Sequence, residues 1–413
     1  MKIGILTYHR AINYGAVTQC YAMASELKKR FPDDTVEVID FASLNRVKKY
    51  KPTLMRYIFE YFTFKHGCFI AAKRLGSKIK KLLTYPDEFR MIKKRHQAFQ
   101  KSMECLPLSL KKLISDDVAK FEKTFHDDYD VIIVGSDCVW EWSTVPFPNA
   151  YYLCGDFNAI KMSYAASVGT DAPELLSEQQ KQQIKLAINE FDYVGVRDSS
   201  TEHVVKYLSP EKSFHHNCDP TTLLSRESLD EHRERVAQKL KQAGIKNDKP
   251  IIGVMGGKKY FNLAYRIFGD SVYYVGLYYP HSKCDVNLLD ISVLEWASSF
   301  GLFDMTVTTF FHGTMLSLVN QTPVFSIDTL PENEKQITKL RELYQRLDLP
   351  GFYYRDKVNY SDEEINSMKL LALDLIKNPP KEKISTELKK EAASCESFFE
   401  ELSKIKNKLG NNL

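Results

Sequence analysis

The chain predicts an α/β protein built from two doubly wound parallel sheets, with a helical C-terminal tail. Three observations carry this. At 413 residues the chain exceeds one ordinary core, so two domains of about 150 to 200 residues each are expected. Short, wholly apolar runs such as "IGIL", "VIIV" and "IIGVM" suit strands buried on both faces. Amphipathic helical stretches alternate with those runs, the pattern of a parallel sheet with crossover helices.

The first run, "KIGILTYH", breaks at "RAINYGAV" and leads into "VTQCYAMASELKKRF", where Val17, Cys20, Tyr21, Ala24 and Leu27 recur at helical spacing. "TVEVID" is the second strand and completes a β-α-β start. From residue 46 to residue 101 the pattern is helical, with Pro86 dividing two segments. "DVIIVGSD", "KMSYAAS", "YVGVRDS" and "SFHHNCDPTTLL" continue the alternation, with "SEQQKQQIKLAINEF" as a helix between the second and third. Residues 1–225 are expected to form the first domain and 226–248, polar and helix-prone, the linker. "IIGVMGG", "VYYVGLY", "EWASSFGLF", "MTVTTF", "GTMLSLV" and "TPVFSID" place a second α/β domain over 249–350. Residues 351–413 form the tail.

Composition excludes several classes. With 44% hydrophobic and 27% charged residues and no biased tract or repeat, the chain is neither disordered nor a solenoid. The opening "MKIGILTYHR" is too short an apolar stretch for a secretory leader, and no window suits a membrane span, so a cytoplasmic protein is expected. Eight scattered cysteines without a CxxC pair argue against a zinc cage and a disulfide framework and read as reduced thiols. The net charge of +4 is uneven: residues 46–101 hold 16 Lys or Arg against 3 acids, +13, which leaves −9 for the rest. That segment reads first as a solvated helical face. With Phe59, Phe62, Phe64 and Phe69 it also suits peripheral contact with an anionic membrane. A nucleic-acid partner is not expected, because no binding module is present.

In doubly wound folds ligands sit outside the carboxyl ends of the strands, so four turns after strands are candidate sites. In "TTFFHGTML", His312 stands at a strand end, Gly313 gives room for close approach, and Thr314 opens a helix whose amides favour an anion. The imidazole either binds phosphate and passes a proton or simply caps the helix. "INYGAV" is a tight corner at Asn13, Tyr14 and Gly15, either a structural turn or a seat for an anion or sugar hydroxyl. It is not GxGxxG, so a dinucleotide has little support. In "VGSDCVW", Ser136 and Asp137 either cap the next turn or serve chemistry, with Asp137 as a base and Trp140 as a flat face for a sugar. In "VGVRDSS", Arg197 either pairs with Asp198 or grips a carboxylate or phosphate through its planar fork.

Taken in order, "NYGAVTQCYAM", "DVIIVGSDCVW", "KMSYAASVGT", "VGVRDSS", "CDPTTLL" and "TTFFHGTMLSLVNQTPV" resemble the polysaccharide pyruvyl transferase family, over Met1 to about Asp348. The resemblance implies a GT-B-like fold, two Rossmann-like domains facing across a cleft. It also implies an enzyme that moves an enolpyruvyl-derived group from phosphoenolpyruvate to a glycan or lipid-linked oligosaccharide, forming a pyruvate ketal and releasing phosphate without cofactor or metal. By position, His312 matches the histidine of the family's "FHG" or "LHG" motif and Arg197 the arginine of its "RD" motif, both implicated in donor binding and catalysis. The donor set expected is then Arg197, His312, Gly313 and Thr314. The acceptor side is assigned Asn13, Tyr14, Gly15, Ser136, Asp137 and Trp140. Some members carry arginine two residues before the histidine, where this chain has Phe310. A second cationic anchor is therefore sought in Lys258 and Lys259 of "GGKKY" or Lys283 of "HSKCD". Two other readings share the architecture: a GT-B glycosyltransferase using a nucleotide sugar, and a non-catalytic glycan-binding relative.

Overall fold

A computed structural model of the chain describes residues 1–50, 86–329 and 337–411. Most of the basic segment, including Phe59, Phe62, Phe64 and Phe69, lies outside the described residues, and so does the membrane contact expected of it.

The first half runs β1 (Lys2–Leu6), α1 (Tyr14–Arg30), β2 (Thr35–Ala42), α2 (Leu44–Tyr50), α3 (Pro86–Lys101), β3 (Leu108–Ile114), α4 (Val118–Phe125), β4 (Val131–Val134), β5 (Ile160–Ala166), α5 (Glu178–Asn189), β6 (Tyr193–Val196), α6 (Ser199–Leu208) and β7 (His215–His216). The second runs α7 (Asp230–Gln242), β8 (Ile251–Met255), α8 (Lys258–Phe268), β9 (Tyr273–Leu277), β10 (Val286–Leu288), α9 (Val293–Ser299), β11 (Met305–Thr308), α10 (Phe311–Val319), β12 (Val324–Asp328), α11 (Lys339–Arg346) and β13 (Tyr353–Arg355). It ends in α12 (Asp362–Lys377), α13 (Lys381–Ala393) and α14 (Glu396–Asn411).

Each half forms one parallel sheet. The strand orders are β3-β2-β1-β4-β5-β6-β7 and β10-β9-β8-β11-β12-β13. Both reverse direction beside their first strand, between β1 and β4 and between β8 and β11, where a doubly wound sheet opens a crevice for ligand. Ile3 of β1 aligns with Val131 of β4, and Met305 of β11 with Ile252 of β8. The apolar runs are buried on both faces, as in Val131–Val134 with every residue buried, because helices cover both sides. The two switch points face each other, which makes the architecture GT-B-like.

Two features differ from the sequence expectation. The stretch 226–248 is not a bare linker. It holds α7, whose Val236 and Leu240 are buried, and Lys239 of that helix pairs with Glu295 of α9 at 3.2 Å. Its many charges are the solvent face of an amphipathic helix. The second feature is the tail, which returns to the first half. Arg30 of α1 makes two hydrogen bonds to Glu396, at 2.8 and 2.7 Å, and Lys406 pairs with Asp34 at 2.8 Å. Cys218 and Cys395, 177 residues apart, are joined as a disulfide. This corrects the reading of all eight cysteines as thiols; a pairing over such a separation leaves no trace in cysteine spacing. Among the described residues no helix is long and apolar enough to cross a membrane.

Candidate functional site

A cavity of about 220 Å³ lies between the two switch points. Asn13, Tyr14, Gly15, Asp137 and Arg197 of the first half line it, with Met255, Tyr278, Trp296, Phe310, Phe311, His312 and Lys339 of the second. Each group has a local reason for its place. Asn13 is the N-cap of α1, accepting from the Gly15 amide at 3.1 Å, which fixes the corner after β1. Asp137 follows β4 in a left-handed conformation, φ 78°, and accepts from the Cys138 amide at 2.8 Å. Such a φ is uncommon outside glycine and is tolerated best by Asn and Asp. His312 lies in the first turn of α10, whose N-cap Phe310 supplies no side-chain acceptor. The first amides of a helix have no intrahelical acceptor, so this end favours a negative charge.

The polar half of the cavity is a buried charge cluster. Arg197 Nη1 donates to Asp219 Oδ2 at 3.2 Å, and its other nitrogens stand 3.7 Å from Asp198 Oδ2 and 3.9 Å from Asp137 Oδ1. His312 Nε2 is 3.7 Å from the same Asp219 oxygen, too far for a hydrogen bond but close enough to feel its charge. Lys339 Nζ approaches Cys138 Sγ at 2.8 Å. Burial alone would push the Asp219 carboxyl up. The His312 imidazole and the Arg197 guanidinium beside it more than reverse that, and it is held far below the usual carboxylate range. Burial likewise raises Asp137, but Lys339, Arg197, Arg46 and His312 outweigh it and bring the carboxyl down to about 2. Asp137 is therefore ionised at neutral pH and a weak proton acceptor, a poor match for the base expected of it.

Two nitrogens in this cluster lack partners. Arg197 Nε and His312 Nε2 are both buried and make no hydrogen bond. Buried polar groups are rarely left so, and one explanation is a ligand that completes them.

The two sequence corners meet physically. A Cβ placed on Gly15 would lie 2.3 Å from His312 Nδ1 and 2.4 Å from its Cγ. Only glycine lets the first turn of α1 carry the imidazole of the opposite half against its backbone. Gly15→Ala is expected to push the ring aside: a shift of the His312 ring resonances in NMR without loss of thermal stability supports this, and unchanged resonances contradict it.

Of the expected site residues, Asn13, Tyr14, Gly15, Asp137, Arg197 and His312 come together at this cavity. Others do not. Trp140 is fully buried, stacked on Tyr152 at 5.5 Å, with its indole N–H donating to the Tyr151 carbonyl at 3.1 Å. It is core and offers no face to a sugar. Ser136 is also fully buried and does not line the cavity. Gly313 has no open side, because a Cβ there would meet Thr308 Oγ1 at 2.4 Å; its role is helix-to-strand packing. Thr314 is buried with its hydroxyl on Ser326 at 2.7 Å. Lys258 and Lys283 are exposed and do not line the cavity, and Lys259 is paired with Asp356 at 2.7 Å. The second cation is Lys339, on α11, which sequence reasoning missed. It also gave no role to Asp219, although that residue stands in the quoted motif "CDPTTLL", in a capping turn where the Thr221 amide donates to Asp219 Oδ1 at 3.0 Å.

The fold and this site define a two-sheet α/β protein with a pocket between its halves that is lined by charges of both signs. The model of the polysaccharide pyruvyl transferase family matches residues 13–331, most of the chain, and the protein belongs to that family. A comparison with curated proteins finds no match. Among solved structures, the chain is similar to a UDP-N-acetylglucosamine 2-epimerase (14% identity, TM-score 0.46, covering 94% of this chain and 90% of that one). It is also similar to the wall teichoic acid polymerase TagF (16% identity, TM-score 0.42, 74% and 78%). A third is the E. coli ADP-heptose lipopolysaccharide heptosyltransferase II (10% identity, TM-score 0.34, 95% and 99%).

Proposed function

We propose that this pyruvyl transferase takes phosphoenolpyruvate as donor and places a pyruvate ketal on a sugar of a cell-surface polysaccharide or its lipid-linked precursor, releasing phosphate. One observation carries the reading: Arg197, His312 and Lys339, drawn from both halves, converge on one cavity, with Arg197 Nε and His312 Nε2 making no hydrogen bond. The donor carries a carboxylate and a phosphate, and a guanidinium fork, an ammonium and an open helix end suit those groups.

In the reaction, one sugar hydroxyl oxygen bonds to C2 of the enol while C3 takes a proton. Protonated His312 gives that proton and takes back the one released by the hydroxyl. The second hydroxyl oxygen then displaces phosphate from C2 to close the ketal, and its proton leaves with phosphate. Arg197 holds an acidic group of the donor, and Lys339 offsets charge on the departing phosphate.

The test incubates the protein with phosphoenolpyruvate and a panel of synthetic and lipid-linked glycans. Acceptor-dependent phosphate release with the mass increase of a pyruvyl ketal is expected, and Lys339→Ala is expected to raise KM for phosphoenolpyruvate on the order of tenfold, as loss of one charge-assisted contact would. Release of a nucleotide from a sugar donor, with none from phosphoenolpyruvate, would overturn the reading in favour of a glycosyltransferase.

A further inference from the structure

The cavity has a second half that the donor does not use. Four further lining residues are aromatic: Tyr14, Tyr278, Trp296 and Phe310; Phe311 belongs with the charged cluster, its ring 5.8 Å from the Arg197 guanidinium. Tyr14 is accounted for, since it is buried and donates to the Ile291 carbonyl at 3.0 Å. Tyr278 and Phe310 are different, because each is only half-buried and their rings meet at 5.2 Å to form one wall.

Three details suggest that this wall receives a ligand. Tyr278 sits in the left-handed region at φ 68°, a conformation an aromatic residue rarely adopts and which clusters at functional sites. It is held there from across the cleft: Arg95 donates to its carbonyl and stacks its guanidinium on the ring, 4.3 Å from the centroid. The third detail is an orphan donor. Trp296 lines the same cavity, is 1% exposed, and its indole N–H has no acceptor. A buried Trp N–H ordinarily finds one. At the border of the two halves, Asn13 spends its side-chain oxygen on the Gly15 amide, so its NH₂ remains a donor for the cavity.

An aromatic wall beside an indole N–H and an amide NH₂ matches one kind of ligand. A pyranose ring has apolar C–H faces that lie on aromatic rings and hydroxyl oxygens that accept from N–H donors. We propose that Tyr278, Phe310, Trp296 and Asn13 form the acceptor subsite, holding one pyranose ring so that its hydroxyls point at the donor carried by Arg197, His312 and Lys339. This rests on the pyruvyl-transfer reading and adds to it where the sugar lies and which residues select it. Phe310, two residues before the histidine, then serves recognition of the acceptor and not of the donor.

Saturation-transfer NMR tests this with methyl β-D-glucopyranoside, methyl β-D-galactopyranoside and methyl β-D-mannopyranoside, while calorimetry follows phosphoenolpyruvate on the same samples. At least one glycoside is expected to show transfer to its ring C–H protons. Trp296→Phe, which removes only the N–H, should weaken that glycoside about three- to tenfold, and Phe310→Ala by about tenfold, with Phe310→Tyr restoring it. Phosphoenolpyruvate affinity should stay within twofold in all three variants. No transfer from any glycoside, or equal transfer in wild type, Trp296→Phe and Phe310→Ala, overturns the subsite. Uridine diphosphate giving transfer on its base protons and displacing the glycoside overturns it as well, since the wall would then be a nucleobase site. Failure of phosphoenolpyruvate to bind while the glycoside does would leave the subsite standing and remove the donor reading.

Discussion

His312→Gln is expected to reduce phosphate release by roughly 10²–10⁴-fold, the contribution of a positioned proton donor, while the protein stays folded. The imidazole is the one group in the cavity that combines a ring nitrogen able to carry a proton, no hydrogen-bond partner at Nε2 and a carboxylate at 3.7 Å. Glutamine keeps a polar group of similar reach but neither donates a proton to carbon nor carries charge. Helix α10 should persist, since its buried face, Met315, Leu316 and Leu318, is untouched. Phosphate release under saturating phosphoenolpyruvate, beside thermal unfolding of the same sample, decides the matter. Turnover within a few-fold of wild type would remove His312 from the chemistry.

The sheets were readable because parallel strands covered on both faces must be continuous apolar runs, as in "VIIV" and "IIGVM", and because helical periodicity fills the gaps between them. The corners were readable for a related reason: chain reversal after a strand demands special residues, and doubly wound sheets place ligands at those reversals. Side-chain direction was not readable. Trp140 lies three residues beyond Asp137, yet one ring packs inward on Tyr152 and Phe191 while the carboxylate lines the cavity. Lys339 follows His312 by 27 residues, on a helix with no motif of its own, and only the tertiary fold brings it to Cys138. The lysines favoured instead, Lys258 and Lys259, did sit at a strand end; Lys259 lost its place to the competing carboxylate of Asp356. Contact between Gly15 and His312 has no sequence signal beyond two glycine-bearing corners, because nothing local shows that the two face each other.

Arg197→Met is expected to destabilise the protein by about 3–5 kcal/mol, the cost of removing one partner from a buried charge group, and to abolish phosphoenolpyruvate binding. The guanidinium is 4% exposed and stands between three carboxylates, Asp219, Asp198 and Asp137, at 3.2, 3.7 and 3.9 Å. Methionine fills much of the space and leaves those charges without their common counter-ion. Acid titration gives an independent check. Asp137 is held down at about 2 and Asp219 is also depressed. The stability these groups contribute is present above the unfolded aspartate value of about 3.9 and is lost as pH falls through their folded values. Arg197 is one cause of both depressions, so its removal brings the folded values closer to the unfolded one. The variant should then lose less stability than wild type between pH 4 and pH 2, from a lower starting point. Arg197→Lys separates the two roles: an ammonium restores the charge balance but not the planar fork, so stability should recover while the donor KM stays raised. A donor KM equal to wild type in Arg197→Lys would mean that the fork grips nothing and that the residue serves the fold alone.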